Sequence, residues 1–207
     1  MIRTIAIERE YGGGGAAIAK KLAARLGWKL WDEALTEEIA RRAKVDRSVV
    51  CKLDERVDPP FYRLARTFLR GSFERSLPVE EIENFDCDSM VQMLRGVIEE
   101  AARAGNCVIV GRGSPYFLRD RPDTLRVFIY APWPEKVRRI RALGKSHAEA
   151  EDLLLSIDHE RSTFIKRYFG KKWPDMTQYE MMINSRMGDE SVLEVILGAI
   201  TVMNNRK

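Results

Sequence analysis

Short apolar segments alternate along most of the chain with longer stretches in which apolar residues recur at helical spacing. The first apolar segment covers residues 2–7, and four glycines separate it from a helical pattern that ends at Gly27. Further strands are predicted at residues 28–31, 107–110, 125–130 and 181–184. Helices between such strands indicate an α/β fold, in which a parallel sheet is flanked by helices.

The alternation is interrupted between residues 45 and 88. Pro59, Pro60 and Pro78 break stretches that otherwise have helical spacing. We therefore expect a helical insert here. A chain of 207 residues can bury one core of sufficient size, so the prediction is a single domain that carries this insert.

The composition limits the class of protein. The chain is 45% hydrophobic and 32% charged, which is typical of a folded globular protein and excludes extensive disorder. Its net charge of +4 is small, which disfavours a dedicated nucleic-acid binder. No apolar run approaches the ~20 residues that span a membrane, and the amino terminus soon becomes charged. We expect a cytoplasmic protein that does not bind membranes.

Cysteine and histidine are too few and too scattered for several kinds of site. The chain contains three cysteines and two histidines, namely Cys51, Cys87, Cys107, His147 and His159. Their number and spacing argue against a zinc site, a disulfide framework and a Ser-His-Asp triad. The sequence therefore assigns no residue to a metal site.

Two glycine-containing turns follow predicted strands. One contains the four glycines that begin at Gly12, and the other is Gly111-Arg112-Gly113. Ligands of parallel sheets bind at the carboxyl ends of the strands, where both turns are expected. Glycines before a helix let backbone N–H groups approach an anion, so a phosphate group is the natural ligand of the first turn.

Two motifs compete for the first turn. Gly12, Gly14 and Ala17 satisfy the dinucleotide-binding pattern G-x-G-x-x-A, and Asp32 stands about where a ribose-binding acid is expected. A Walker loop instead requires G-x-x-x-x-G-K-[ST], and this chain lacks its last two residues. A dinucleotide-binding enzyme, a Walker-like nucleotide site and a tight turn without a ligand all stay open on these residues alone.

The wider sequence resembles the cytidylate kinase-like branch of the P-loop nucleoside monophosphate kinases. REYGGGG leading into IAKKLA, together with VIVGRG, carries the resemblance most specifically. The matching segments are residues 5–40, 106–118, 125–140 and 157–170. The resemblance implies one P-loop kinase-like domain over residues 1–207, with a nucleotide-binding insert at about residues 45–88 and a lid at about residues 158–174. It also implies phosphoryl transfer from ATP, with Mg²⁺, to a pyrimidine nucleoside monophosphate such as CMP or dCMP.

Individual roles follow from this resemblance. The donor phosphates would lie on Gly12, Gly13, Gly14, Gly15, Ala16 and Ala17. Asp32 would lie near the acceptor nucleotide, and Arg112 would bind the acceptor phosphate. Asp158 and Arg161 match a lid pair in which the acid contacts the base or ribose and the arginine contacts phosphate. Arg167 is a further match to the lid.

The chain departs from the kinase pattern at the residues that do chemistry. Gly15 stands where a Walker loop has its lysine, and Ala17 stands where it has the hydroxyl that holds Mg²⁺. Arg9, just before the loop, is the best placed cation to compensate. Arg9, Arg112 and Arg161 are therefore the candidate catalytic residues. A nucleotide-binding module without kinase activity is the main alternative.

Plain structural interpretations of the same residues also stay open. Val110 and Gly113 replace two acidic residues of the family's segment, so carboxylates expected near the metal or the acceptor are missing. Arg112 lies between two glycines after a predicted strand, so it is also compatible with a solvent-facing turn residue. Asp158 and Arg161 are three positions apart, which suits an ordinary ion pair on a helix surface.

Overall fold

The computed structural model describes residues 1–43 and 87–205. The predicted insert at about residues 45–88 lies almost entirely outside the described residues, so its helical character stays a prediction. No helix within the described residues is long and apolar enough to cross a membrane.

Five parallel strands form one sheet in the described part of the chain. The strands are β1 (Thr4–Arg9), β2 (Lys29–Trp31), β3 (Cys107–Val110), β4 (Thr124–Tyr130) and β5 (Met181–Asn184). Their order in the sheet is β2-β3-β1-β4-β5, and Ile7 of β1 pairs with Val110 of β3. A dinucleotide-binding fold places β2, not β3, beside β1. The dinucleotide alternative is therefore wrong for this topology.

Helices connect the strands. They are α1 (Gly15–Leu26), α2 (Glu33–Ala43), α3 (Cys87–Ala104), α4 (Ser114–Phe117), α5 (Trp133–Arg141), α6 (His147–Phe169) and α7 (Asp189–Asn205). Short 3-10 turns cover Met176–Gln178 and Ser185–Met187. Ser146 and Glu149 form a capping box at the start of α6.

The apolar residues of the strands divide between two cores, one on each face of the sheet. Ile5 and Ile7 of β1 pack with α1 and α7, while Ala6 between them packs with α2, α3 and α6. This alternation is what the two-residue period of a strand requires when both faces are covered. The predicted α/β fold, a parallel sheet flanked by helices, is confirmed.

Candidate functional site

The two glycine turns meet at the carboxyl edge of the sheet. They follow β1 and β3, which are neighbours, and the N–H of Gly111 donates a hydrogen bond to the carbonyl of Ile7 at 2.7 Å. The first turn, residues 10–14, leads into α1. Residues 111–113, the second turn, lead into α4. Groups bound at the two turns would therefore lie close together.

The first turn requires glycine for steric and conformational reasons. Gly12 and Gly14 have φ angles of 70° and 80°, which lie in the left-handed region. A Cβ on Gly13 would lie 2.9 Å from the carbonyl oxygen of Glu10 and 3.2 Å from that of Ile129. Side chains at these positions would either strain the backbone or collide with it.

The start of α1 has the properties of an anion site. Gly14 is its N-cap and provides no side-chain cap, and the first turn of α1 contains no acidic residue. The first N–H groups of any α-helix lack partners within the helix, and they carry the positive end of the helix dipole. The N–H groups of Gly15, Ala16 and Ala17 therefore suit a phosphate group, as the sequence predicts.

Arg139 of α5 and Ser185 after β5 bind the outer side of this turn. The hydroxyl of Ser185 donates a hydrogen bond to the carbonyl of Gly13 at 2.7 Å. Nη1 of Arg139 lies 2.8 Å from Oγ of Ser185 and 3.3 Å from the carbonyl oxygen of Gly12. These contacts turn two loop carbonyls away from the start of α1, which leaves that position to N–H donors.

We expect Ser185→Ala to weaken ATP binding by about three- to tenfold, because one loop carbonyl would lose its partner and the turn would be less well ordered. Calorimetric titration with ATP measures the effect. Ser156→Ala is the matched control, since that hydroxyl is exposed on α6 and bonds only within its own helix turn, to the carbonyl of Leu153. Equal ATP affinities in the native protein and Ser185→Ala would contradict the assignment.

Asp158 and Arg161 of α6 hold the inner side of the first turn. Oδ1 of Asp158 accepts the N–H of Tyr11 at 2.8 Å, and Nη1 of Arg161 donates to the carbonyl of Arg9 at 2.9 Å and to Asp158 at 3.1 Å. Arg161 is only 8% exposed. Asp158 and Arg161 are therefore not a plain surface ion pair. In this conformation they contact the loop backbone directly.

Burial shifts the pKa of both groups. It raises the pKa of the Asp158 carboxyl, an effect that the nearby Arg161 opposes. Burial and repulsion from Arg9 lower the pKa of Arg161 to about 10, so its guanidinium remains charged at neutral pH.

The second turn presents Arg112. This residue is 2% exposed and has a φ angle of 56°, so it is not the exposed turn residue that the sequence also allowed. Nη1 of Arg112 bonds Oδ1 of Asp32 at 3.3 Å, and Nη2 donates to the hydroxyl of Thr36 at 2.6 Å. Within the described residues, its buried Nε has no partner. Arg112 is thus anchored through one edge and retains an unpaired donor for an anion such as phosphate.

The carboxyl-terminal part of α6 also reaches the second turn. A Cβ on Gly113 would lie 3.0 Å from Cε2 of Phe169 and 3.2 Å from Cε1 of Phe164. One helix therefore contacts both turns, through Asp158 and Arg161 at the first and through aromatic rings at the second. The predicted lid at about residues 158–174 begins in the middle of α6 and continues past its end. The movement of this lid stays a prediction. The guanidinium of Arg167, also predicted for the lid, lies 5.7 Å from the centre of the Tyr168 ring.

The carboxylates near the turns are paired with cations. The pairs are Glu8 with Arg9 at 3.3 Å, Glu10 with Lys136 at 3.0 Å and Asp32 with Arg112 at 3.3 Å. Among the described residues, no group of three or more His, Cys, Asp or Glu side chains is arranged to hold a metal ion. Ala17 adds no hydroxyl. These residues do not fit a direct Mg²⁺ site.

Sequence reasoning missed Thr36, Arg139 and Ser185. Thr36 lies on α2, four residues after Asp32, and this helical spacing could have indicated that the two side chains lie near each other. Arg139 and Ser185 come from α5 and from the end of β5, and no motif links them to the loop. Their contacts depend on how the helices pack on the sheet.

Comparison with known proteins agrees with this geometry. The sequence profile of the cytidylate kinase-like family matches residues 4–187. A cytidylate kinase of Ignicoccus hospitalis is 27% identical, and the match covers 89% of this chain and 91% of that protein. A cytidylate kinase of Methanosarcina mazei is 26% identical over 101 residues, which are 47% of this chain and 56% of that protein.

Solved structures share the fold. An uncharacterized protein from Eubacterium ventriosum matches all of both chains with a TM-score of 0.70 and 21% identity. Shikimate kinase from Bacteroides thetaiotaomicron has a TM-score of 0.55 and 18% identity, over 97% of this chain and 99% of that one. The fold is therefore that of P-loop kinases. Since the family profile matches most of the sequence, the chain belongs to the cytidylate kinase-like family.

Proposed function

We propose that the protein transfers the γ-phosphoryl group of ATP to a pyrimidine nucleoside monophosphate, CMP or dCMP. An oxygen of the acceptor phosphate attacks the γ-phosphorus, and the bond from that phosphorus to the bridging oxygen of ADP breaks. The products are ADP and a nucleoside diphosphate. Family membership supports kinase chemistry, and the relatives named cytidylate kinase support a pyrimidine acceptor.

The buried Arg112 beside the first turn is the observation that carries this proposal. A guanidinium that is 98% removed from solvent is costly unless its charge has a use or a complete set of partners. Arg112 has Asp32 and Thr36 on one side, and its Nε has no partner among the residues that the structure describes. A phosphate accepts two hydrogen bonds from a guanidinium readily, so we assign the acceptor phosphate to Arg112.

The start of α1 would bind the donor phosphates through its N–H groups, with Arg9 as the nearest strand-end cation. Phosphoryl transfer depends mainly on positioned positive charge, so these groups and Arg112 would stabilise the charge on the transferring oxygens. ATP would bring Mg²⁺ on its own phosphates. Arg161 donates a hydrogen bond to the Arg9 carbonyl, so it would act on the phosphates only by positioning Arg9. A direct role of Arg161 would require the predicted lid movement to release that bond.

A nucleotide-binding module without transfer activity is the second candidate. The absence of a lysine at Gly15 and of a hydroxyl at Ala17 favours it, since each such group contributes strongly to transfer in Walker loops. In such a module the two turns would still bind ATP and a monophosphate. The module differs from the kinase only in product formation.

The test combines binding with product formation. We expect the native protein to bind ATP and CMP in calorimetric titration and to form CDP slowly with ATP and Mg²⁺. Gly14→Val should weaken ATP binding by about tenfold or more, because a Cβ at Gly14 would lie 2.7 Å from Nη1 of Arg139 and the turn would have to shift. Gly27→Val is the matched control, since Gly27 has a similar φ angle of 64° at the other end of α1.

The outcomes separate the candidates. CDP formation above the rate of Gly14→Val supports the kinase. Binding of ATP and CMP without CDP supports the module. Unchanged ATP affinity in a folded Gly14→Val protein would contradict a nucleotide site at the first turn in either case.

A further inference from the structure

The stem of Arg9 occupies the space beside Gly15. A Cβ on Gly15 would lie 2.7 Å from Cβ and 2.9 Å from Cγ of Arg9. Both distances are shorter than real carbon contacts allow. Gly15 does not have a positive φ angle, so backbone conformation does not explain the glycine. The space that the side chain of Arg9 occupies explains why this residue is glycine.

The guanidinium of Arg9 occupies the space beside Gly111. A Cβ on Gly111 would lie 1.8 Å from Nη1 and 2.7 Å from Cζ of Arg9, and the φ angle of 67° at Gly111 also favours glycine there. Arg9 is 7% exposed, and its Nη1 pairs with Glu8 at 3.3 Å. The side chain therefore runs from the start of α1, where the donor phosphates are proposed, to the turn that presents Arg112.

The charge of Arg9 acts on the other guanidinium groups. Burial is the main cause of the lowered pKa of Arg112 and of Arg161; the carboxylates of Asp32 and Asp158 oppose the shift, and repulsion from Arg9 adds to it. Three cations thus face the same edge of the sheet. An anion placed between the two turns would relieve their repulsion, which is the property expected of a site for transferring phosphates.

We propose that Arg9 replaces the missing Walker lysine. Its charge reaches the phosphates from the end of β1 and not from the first turn of α1. Gly15 and Gly111 are positioning residues that leave room for the stem and the guanidinium of Arg9. The inference rests on the proposed function for its chemical part. Its steric part concerns only Arg9 and the two glycines.

A mutant cycle tests the steric part without any ligand. Alanine is a better helix former than glycine, so Gly15→Ala should raise the melting temperature unless Arg9 is in the way. We expect Gly15→Ala to lower the melting temperature in the native background and to raise it in the Arg9→Gly background. Gly198→Ala in α7 is the control, since a Cβ there meets nothing within 4 Å, and it should behave alike in both backgrounds. The same effect of Gly15→Ala in both backgrounds would overturn the proposal.

Moving the cation tests the chemical part. Arg9→Gly should reduce CDP formation by about a hundredfold. Adding Gly15→Lys to Arg9→Gly should recover at least about tenfold, whereas Gly15→Lys alone should lose activity because Arg9 blocks it. A native rate in Arg9→Gly, or no recovery in a folded double variant, would overturn the proposal.

The failure of the proposed function is distinguishable from the failure of this inference. If the native protein forms no CDP, transfer to CMP is excluded, and ATP affinity in the same variants replaces the rate. Arg9→Gly should then weaken ATP binding, and adding Gly15→Lys should restore it. An ATP affinity that does not respond to either change would remove Arg9 from the phosphate site.

Discussion

Arg112→Lys is expected to reduce the affinity for CMP by about tenfold or more. Lysine keeps the positive charge but has no planar pair of donors, so it loses at least one charge-assisted hydrogen bond, a loss of about 1.5–3 kcal/mol. It also cannot bond Asp32 and Thr36 at once in the way that fixes Arg112. Calorimetric titration of CMP measures the loss, and circular dichroism verifies that the variant is folded.

Arg119→Lys is the control for this substitution. Arg119 follows α4, is half exposed and pairs with Asp120 beside it. Its conversion to lysine should leave CMP affinity and the melting temperature unchanged. If Arg112→Lys also binds CMP as well as the native protein does, Arg112 is only a structural anchor for Asp32 and α2.

Asp158→Ala should lower the melting temperature by about 10 °C and weaken ATP binding. The substitution leaves Arg161 buried without its carboxylate and frees the N–H of Tyr11, and breaking a buried ion pair costs about 3–5 kcal/mol. The first turn then loses one of its attachments to α6. Thermal denaturation measures the first effect and titration with ATP the second.

Two further variants separate charge from hydrogen bonding. Asp158→Asn keeps an oxygen that can accept the N–H of Tyr11, so it should retain more ATP affinity than Asp158→Ala while still losing stability. Glu99→Ala removes an exposed ion pair with Arg95 on α3 and should cost less than about 1 kcal/mol. Equal stability losses in Asp158→Ala and Glu99→Ala would show that the buried pair does not hold the turn.

Apolar spacing predicted most of the fold because the central strands β1, β3 and β4 are largely buried on both faces. The predicted strands at residues 107–110 and 181–184 agree with the structure to the residue. The first strand was placed at residues 2–7, whereas β1 covers Thr4–Arg9. Glu8 and Arg9 are charged yet buried, and they form an ion pair with each other. Hydrophobicity cannot identify a strand end of this kind.

The site was predictable where its residues follow strands and not where they depend on packing. The resemblance implied that Arg112 and Asp32 both lie near the acceptor nucleotide, and in the structure the two side chains form an ion pair. The sequence could not show that the stem of Arg9 fills the space beside Gly15. It also directed Asp158 and Arg161 toward a ligand, whereas their bonds here go to the loop backbone.

The contact of α6 with both turns has a thermodynamic consequence. Its middle part bonds the backbone of Arg9 and Tyr11, and its end packs on Gly113. A monophosphate that displaced this helix at the second turn would alter the binding free energy of ATP at the first. By reciprocity, ATP alters the affinity for the monophosphate by the same factor. The affinities for the proposed donor and acceptor are then expected to depend on each other, with α6 as the element that couples them.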